Sequence, residues 1–291
     1  MMTADPRQKP AVSVMVFTLN EEIHLPNCLA SLTWCNDVVV VDCYSTDGTE
    51  ETCKRHGVRF FQHPFSGFGE QRNWALANIP TKHNWILILD ADERVTAELV
   101  AELAHIARMS PEQVGAYRVK RRFHIWGRWL RHSSLYPSWV VRFVHKDCVR
   151  FVNRGHAETQ AVQGAIHALT NDLLDENLKG IDEWFERQNR YSTRDAEFEL
   201  IHERAAPGIR SLFSLDPLAR RAYLKALGFR LPFRPLLYFL YAYVLRGGIL
   251  DGRDGFVFCT MKATYYTMVN VKKYDMRKRL TDRGQSNDPA S

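Results

Sequence analysis

The strongest chemical signal in the chain is Asp90-Ala91-Asp92-Glu93, which directly follows the apolar run Ile86-Leu87-Ile88-Leu89. Two carboxylates one residue apart at a strand end can direct both groups, or one directly and one through water, at a hard cation such as Mg2+ or Mn2+. Such a cation bridges phosphate oxygens and offsets charge on a departing diphosphate. The same Asp-x-Asp also serves as an acidic loop capping a following helix, so its meaning depends on its neighbours. Two other segments end alike. Ser13-Val14-Met15-Val16-Phe17-Thr18-Leu19-Asn20-Glu21-Glu22 reads as a buried strand that presents polar groups to a helix start, with Asn20 a helix cap or a ligand contact. In Val38-Val39-Val40-Val41-Asp42 the acid is placed to accept hydrogen bonds from a base or ribose, and Asp47-Gly48 makes the turn that follows.

The elements that must position these ends are short apolar runs alternating with amphipathic stretches, the pattern of βα units around a mostly parallel sheet in an α/β fold. Strands are expected at 12–18, 38–43, 58–63 and 85–89, and helices at 22–34, 49–56, 69–78 and 97–109. After Pro111 the texture turns β-rich, with many aromatics and arginines, at 116–126, 139–145 and 149–152; helical period returns over 182–202. Proline-punctuated apolar helices follow at about 216–229, 235–246 and 255–274. These patterns divide the chain into a disordered end over 1–10, an α/β domain over 11–206 with halves 11–110 and 111–206, a basic amphipathic helical region over 207–282, and a disordered tail over 283–291.

With 291 residues and 45% hydrophobic composition the chain has ample material for a packed core. Its six cysteines form no CxxC pair or finger-like spacing, which argues against a structural zinc site. Together with the absence of an apolar segment at the start of this sequence, they point to a reducing cytoplasm. The net charge of +6 is uneven: residues 204–283 hold 16 Lys and Arg against 5 Asp and Glu, so the remainder is acidic. Within that basic region the run from Pro235 to Leu245, flanked by Arg234 and Arg246, falls well short of the roughly 20 residues that span a bilayer. It suits a helix lying among lipid headgroups, or one packed on the domain. No finger or RNA-recognition signature organises the charge, so a nucleic-acid partner is not expected.

Four blocks in order, Thr18-Leu19-Asn20-Glu21, Asp42-Cys43-Tyr44-Ser45-Thr46-Asp47-Gly48-Thr49, Gly69-Glu70-Gln71-Arg72-Asn73 and Asp90-Ala91-Asp92-Glu93, resemble the family 2 glycosyltransferases of the GT-A fold. The likeness is to the branch with lipopolysaccharide-core glucosyltransferases; it covers about 11–200 and, more loosely, 246–253. The resemblance implies a donor cleft in which Thr18, Asn20, Glu21 and Asp42 contact the nucleoside, with Ser45 in the same set. Arg72 would approach the diphosphate or sugar, Asp90 the ribose or sugar, and Asp92 would be the more direct ligand of Mg2+ or Mn2+. It also implies inversion, an in-line displacement that needs a base on the acceptor hydroxyl.

Many relatives place an acidic pair where this chain has Asn153-Arg154-Gly155-His156-Ala157-Glu158. Glu158 is assigned as base and His156 as metal ligand or acceptor contact, with the opposite division open; on an extended segment the two would share a face. In Trp184-Phe185-Glu186-Arg187-Gln188-Asn189-Arg190-Tyr191-Ser192, Arg190 or Gln188 would reach the diphosphate or acceptor, although Trp184, Gln188 and Tyr191 also match a packed helical face. Trp126, Arg128, Trp129, Tyr136, Trp139 and Arg142 form a cluster suited to sugar faces and anionic groups.

The expectation is a metal-dependent, inverting hexosyltransferase on the inner face of the cytoplasmic membrane, peripherally bound. It would move a sugar, with glucose from UDP-glucose favoured by the resemblance, to a lipopolysaccharide-core or other lipid-linked saccharide. A nucleotidyltransferase would carry a Gly- and Arg-rich first loop where Thr18-Leu19-Asn20-Glu21 stands. A non-catalytic nucleotide-sugar-binding protein would not need Asp90, Asp92 and a base together. Nothing in the sequence sets an oligomeric state.

Overall fold

The computed structural model of the protein describes residues 9–109, 113–154, 157–204 and 233–286. The chain forms two compact units that divide between Lys179 and Gly180.

In the first unit, β1 (Val12–Thr18), α1 (Leu25–Ala30), β2 (Val38–Asp42), α2 (Thr49–His56), β3 (Arg59–Gln62), α3 (Phe68–Asn78) and β4 (Trp85–Asp90) follow in turn. Then come β5 (Glu93–Val95), α4 (Ala97–Met109), β6 (Val114–Ile125), β7 (Arg128–Trp129), β8 (Ser138–His145), β9 (Val149–Arg154), β10 (Ala157–Val162) and β11 (Ala165–Asn177). Every residue of β1 is buried, because both faces of the sheet are covered. Val12, Val14 and Val16 pack with Leu25 and Leu29 of α1 and Leu99 and Leu103 of α4. Met15 and Phe17 turn the other way, against Ala75 of α3, Ile79 and Ile88. A strand buried on both faces reads as an unbroken apolar run, which is why β1, β2 and β4 stand out in the sequence.

The strand order is β3-β2-β1-β4-β8-β6-β11-β5, with β7 on β6 and a separate β9/β10 pair. The central sheet is mostly parallel along this order, as expected, with β11 also parallel to β6, and it takes in antiparallel strands in its second half. The β3-β2-β1-β4 half is parallel, whereas β8 runs antiparallel to both β4 and β6, and β5 antiparallel to β11. Growth from β1 goes outward through β2 and β3, then returns to place β4 on the other side of β1. That reversal falls at the carboxyl ends of β1 and β4, the position where open α/β sheets bind ligands.

The helix expected over 22–34 is confined to α1, with Pro26 in its first turn. The residues before it form a loop in which Asn20 takes a left-handed φ of 55°, a conformation Asn tolerates.

The second unit holds α5 (Ile181–Arg204), α6 (Arg234–Leu240), a π-helical turn (Tyr241–Leu245), a 3-10 turn (Gly248–Asp251) and α7 (Gly252–Ser286). Ala196 of α5 packs with Tyr265 and Val269 of α7, and Tyr265 donates to Asp195 at 2.5 Å. Glu199, buried on α5, accepts from Arg234 at 2.6 Å and Lys273 at 2.9 Å. A Cβ on Gly255 would lie 2.2 Å from the Gly248 carbonyl oxygen, so only glycine lets α7 and the 3-10 turn approach this closely. The sequence placed the boundary at 206; α5 instead groups with α7. The helix expected at 216–229 and the first residues of the N-terminal end lie outside the described residues, and α7 extends into the segment expected as a disordered tail. Among the described residues no helix is long and apolar enough to cross a membrane.

Candidate active site

The three acid- or hydroxyl-bearing strand ends come together as neighbours. Thr18 lies opposite Asp42 across β1/β2, and Phe17 opposite Asp90 across β1/β4. Side chains then staple the first two loops. Asp42 is buried; its Oδ1 accepts from Thr18 Oγ1 at 2.8 Å and Ser45 Oγ at 2.5 Å, and its Oδ2 from Ser45 N at 2.8 Å and Gln62 Nε2 at 3.3 Å. Asn20 N donates to Ser45 Oγ at 2.7 Å, while Asn20 Oδ1 accepts from Thr46 N at 2.8 Å. Asp42, expected to meet a base or ribose, thus faces inward in this structure, and with Thr18 and Ser45 it fixes the crevice wall. Asn20 stands exposed on the rim beside Tyr44, an exposed aromatic held at φ 59°.

Glu21 is anchored from a direction the sequence did not reveal. Its Oε1 accepts from Lys179 at 2.8 Å and its Oε2 lies 2.6 Å from His24 Nδ1. Leu178 N donates to His24 Nε2 at 2.8 Å, which leaves Nδ1 as the protonated ring nitrogen and donor to Glu21.

At the end of β4 the carboxylates meet arginines from three elements. Asp90 Oδ1 accepts from Arg72 of α3 at 2.9 Å, and Oδ2 pairs with Arg142 of β8. Arg142 also donates to Glu93 Oε1, at 3.2 Å from Nε and 2.8 Å from Nη2, and Glu93 Oε2 accepts from Asp90 N at 3.0 Å. Arg121 of β6 reaches Asp175 of β11 at 3.2 Å. Arg72 is buried over the rings of Phe17 and Phe151 and pairs also with Glu158 of β10.

Electrostatics sort these acids. Desolvation raises Asp90, but Arg142 and then Arg72 outweigh it and hold the group down at about 2. Burial lowers Arg72 to about 10 against the pull of Asp90. Glu93 is raised, chiefly by burial, which Arg142 opposes. Asp92 behaves differently. Burial, then the charges of Asp175, Asp90, Glu93 and Glu21, push its carboxyl well above the usual range, and among the described residues no donor or cation pairs with it.

Among the described residues no three His, Cys, Asp or Glu side chains converge as a ready metal cluster. A carboxylate crowded by four other acids still fits a divalent cation of the kind bound through one or two carboxylates plus substrate phosphates. With Asp90 engaged by two arginines, Asp92 is the carboxylate of the pair that has no arginine partner among the described residues.

Of the remaining sequence-derived candidates, His156 lies outside the described residues. Glu158 sits half-buried on extended β10. Arg190 is exposed on α5 in the second unit, where Trp184 and Gln188 are buried on the packed face. Arg142 belongs to the acid cluster rather than to the aromatic one. Sequence reading did not single out Arg121, Asp175, Lys179 or His24. A signal existed for one of them: Val119 must face the core, so in Val119-Lys120-Arg121-Arg122 strand alternation turns Arg121 inward too.

A strand-end crevice with an acidic pair at the topological reversal defines a nucleotide-binding α/β fold of the GT-A type. Residues 13–166 match the model for glycosyl transferase family 2, and the chain belongs to that family. It is 28% identical over 290 residues to the lipopolysaccharide core biosynthesis glycosyltransferase LpsC of Rhizobium meliloti (strain 1021), covering 97% of this chain and 98% of that one. An uncharacterized glycosyltransferase of Rickettsia typhi is 24% identical over 257 residues, 84% of this chain and 80% of that one. Among solved structures, a mannosyltransferase from Pyrobaculum calidifontis in complex with GDP-Man and Mn2+ has a TM-score of 0.48 at 17% identity, covering 94% of this chain and 89% of that one.

Proposed function

We propose that this glycosyltransferase moves a hexose with inversion from a nucleoside diphosphate sugar, UDP-glucose being favoured, to a lipopolysaccharide-core or other lipid-linked saccharide at a membrane surface. The observation that carries the reading is the contrast at the end of β4: Asp90 is neutralised by Arg72 and Arg142, while Asp92, one residue on, is crowded by acids. Mg2+ or Mn2+ held there by Asp92 together with donor phosphates would offset the charge on the departing nucleoside diphosphate. The near full-length similarity to LpsC supports the acceptor class.

The protein's own groups divide the remaining work. The Asp42-centred staple holds the rim residues Asn20 and Glu21 toward the nucleoside, and Arg190 serves the diphosphate or acceptor. Glu158 is the base and His156 a metal ligand or acceptor contact. Arg72 touches both Asp90 and Glu158, which supports a base close to the donor phosphates. A diphosphate competing for Arg72 frees Glu158 to take the acceptor proton. The exposed apolar side chains of α6 and the turns after it, between Arg234 and Arg246, support docking on the inner face of the cytoplasmic membrane.

Purified protein mixed with Mn2+ or Mg2+ and a panel of nucleotide sugars is expected to release nucleoside diphosphate only when metal is present. Neither hydrolysis nor binding across the panel would contradict the reading. Glu158→Gln is expected to keep donor binding and lose transfer; normal transfer would remove Glu158 as base.

A further inference from the structure

The face of β6 opposite Arg121 carries Arg118, Lys120 and Arg122, a stripe of cations set by strand alternation. Strand register places Trp139 of β8 and Asp172 of β11 on either side of Lys120. Arg118 lies over the Trp139 ring at 4.9 Å and Lys120 at 5.8 Å. Trp129 of β7 is flanked by Arg122 at 5.1 Å and Arg131 at 5.5 Å, with Tyr136 edge-on at 5.3 Å. Asp172 accepts from Arg122 at 2.6 Å, Lys120 at 3.2 Å and Tyr136 at 3.0 Å, so one carboxylate is shared by two cations.

Large rings kept at a surface call for a partner: Trp139 is 38% and Trp126 46% exposed. A guanidinium stacked on a ring is held flat with its N–H edge in the plane, where it can meet an anion; Arg122 gives its Nε to Asp172 and keeps its other N–H groups for a ligand. The opposite ring face suits the apolar face of a pyranose. The donor crevice has the other polarity, since its acidic cluster would repel an anion that arrives without a cation. The two charges therefore sort two ligands to two places.

We infer that the Arg118–Lys120–Arg122 face with Trp139 and Trp129 binds an anionic saccharide, one bearing carboxylate or phosphate groups, and that this saccharide is part of the acceptor. The acceptor role rests on the transferase reading above; the binding itself does not.

Calorimetric titration of the full chain with trigalacturonate and with maltotriose tests it. Trigalacturonate is expected to bind at least about tenfold more tightly than maltotriose, and less tightly as NaCl rises from about 50 to 300 mM. Arg118→Ala/Arg122→Ala should weaken trigalacturonate about tenfold or more with the melting temperature retained, Arg118→Lys/Arg122→Lys should weaken it less, and Trp139→Ala should weaken both sugars. Equal affinity for the two sugars, or no change in the double alanine variant, overturns the proposal. So does a double variant that loses phosphatidylglycerol vesicles while keeping trigalacturonate, which would make the face a lipid surface. Metal-dependent donor hydrolysis should be unchanged in the double variant. If the wild-type chain shows no hydrolysis, the transferase reading and the acceptor role fail, and the titration still decides saccharide binding.

Discussion

The end of β4 and the helices of the second unit solve the same problem and leave opposite remainders. Both bury acids, and both match them: Glu93 with Arg142 in the sheet, Glu199 with Arg234 and Lys273 between helices. An unpaired charge in either place would cost several kcal/mol. What stays unmatched differs. Among the described residues, in the sheet it is the carboxylate of Asp92. In the helical unit it is apolar surface: Leu236, Leu237, Val244 and Ile249 are exposed, Leu245 at 78% and Leu250 at 72%. The first remainder fits a cation with a phosphate ligand, and the second fits a non-polar phase bordered by headgroups.

The largest effect should come from breaking the matched charges. Arg142→Ala leaves Glu93, which is fully buried, with the longer Arg121 contact at 3.8 Å in place of two Arg142 hydrogen bonds and is expected to cost about 3–5 kcal/mol in urea unfolding. Lys273→Ala is expected to cost less, about 1–3 kcal/mol, because Arg234 still reaches Glu199. Equal costs would mean the two networks are not distinguished by redundancy as described. Next in size, Leu236→Asp/Leu245→Asp should lower binding to phosphatidylglycerol vesicles by about tenfold or more while unfolding is unchanged, since both side chains are exposed. Retained vesicle binding would make that apolar surface something other than a membrane contact.

The smallest effect is the most diagnostic in sign. Asp92→Asn removes a repelled charge and should raise stability in the metal-free protein, by up to about 1 kcal/mol at pH 7. A carboxyl raised in the fold binds more protons folded than unfolded, so its contribution to stability falls as pH rises from about 3.9 through its raised pKa. Asp90 works the other way. Held at about 2, it contributes stability above about pH 3.9 that is lost as pH falls toward 2. Thermal melts of wild type and Asp92→Asn should therefore coincide below about pH 4 and separate above it, with the variant more stable. A variant less stable at neutral pH would contradict the crowding of Asp92.

Much of the parallel half was legible because strands buried on both faces leave unbroken apolar runs that end at a polar residue, as Val38–Asp42 does. Asp90 and Asp92 were legible as a pair but not as opposites, since the arginines that separate them sit 18 and 52 positions along the chain from Asp90. Three-residue β5 gave no local pattern and exists through its pairing with β11. Strand β11 itself lacks clean alternation, because it changes register against β6 between Ala168 and Asp172. Asp42 was legible as a strand-end acid, whereas its inward orientation depends on Ser45 folding back onto it.

Calorimetric titration of Mn2+ with UDP into wild type and Asp92→Asn decides whether Asp92 holds the cation. Saturable, UDP-dependent Mn2+ binding to the wild type is expected to weaken by about a hundredfold or more in Asp92→Asn, and to weaken also in the wild type as pH is lowered and protons compete for the raised carboxyl. Unchanged Mn2+ affinity in Asp92→Asn would contradict it.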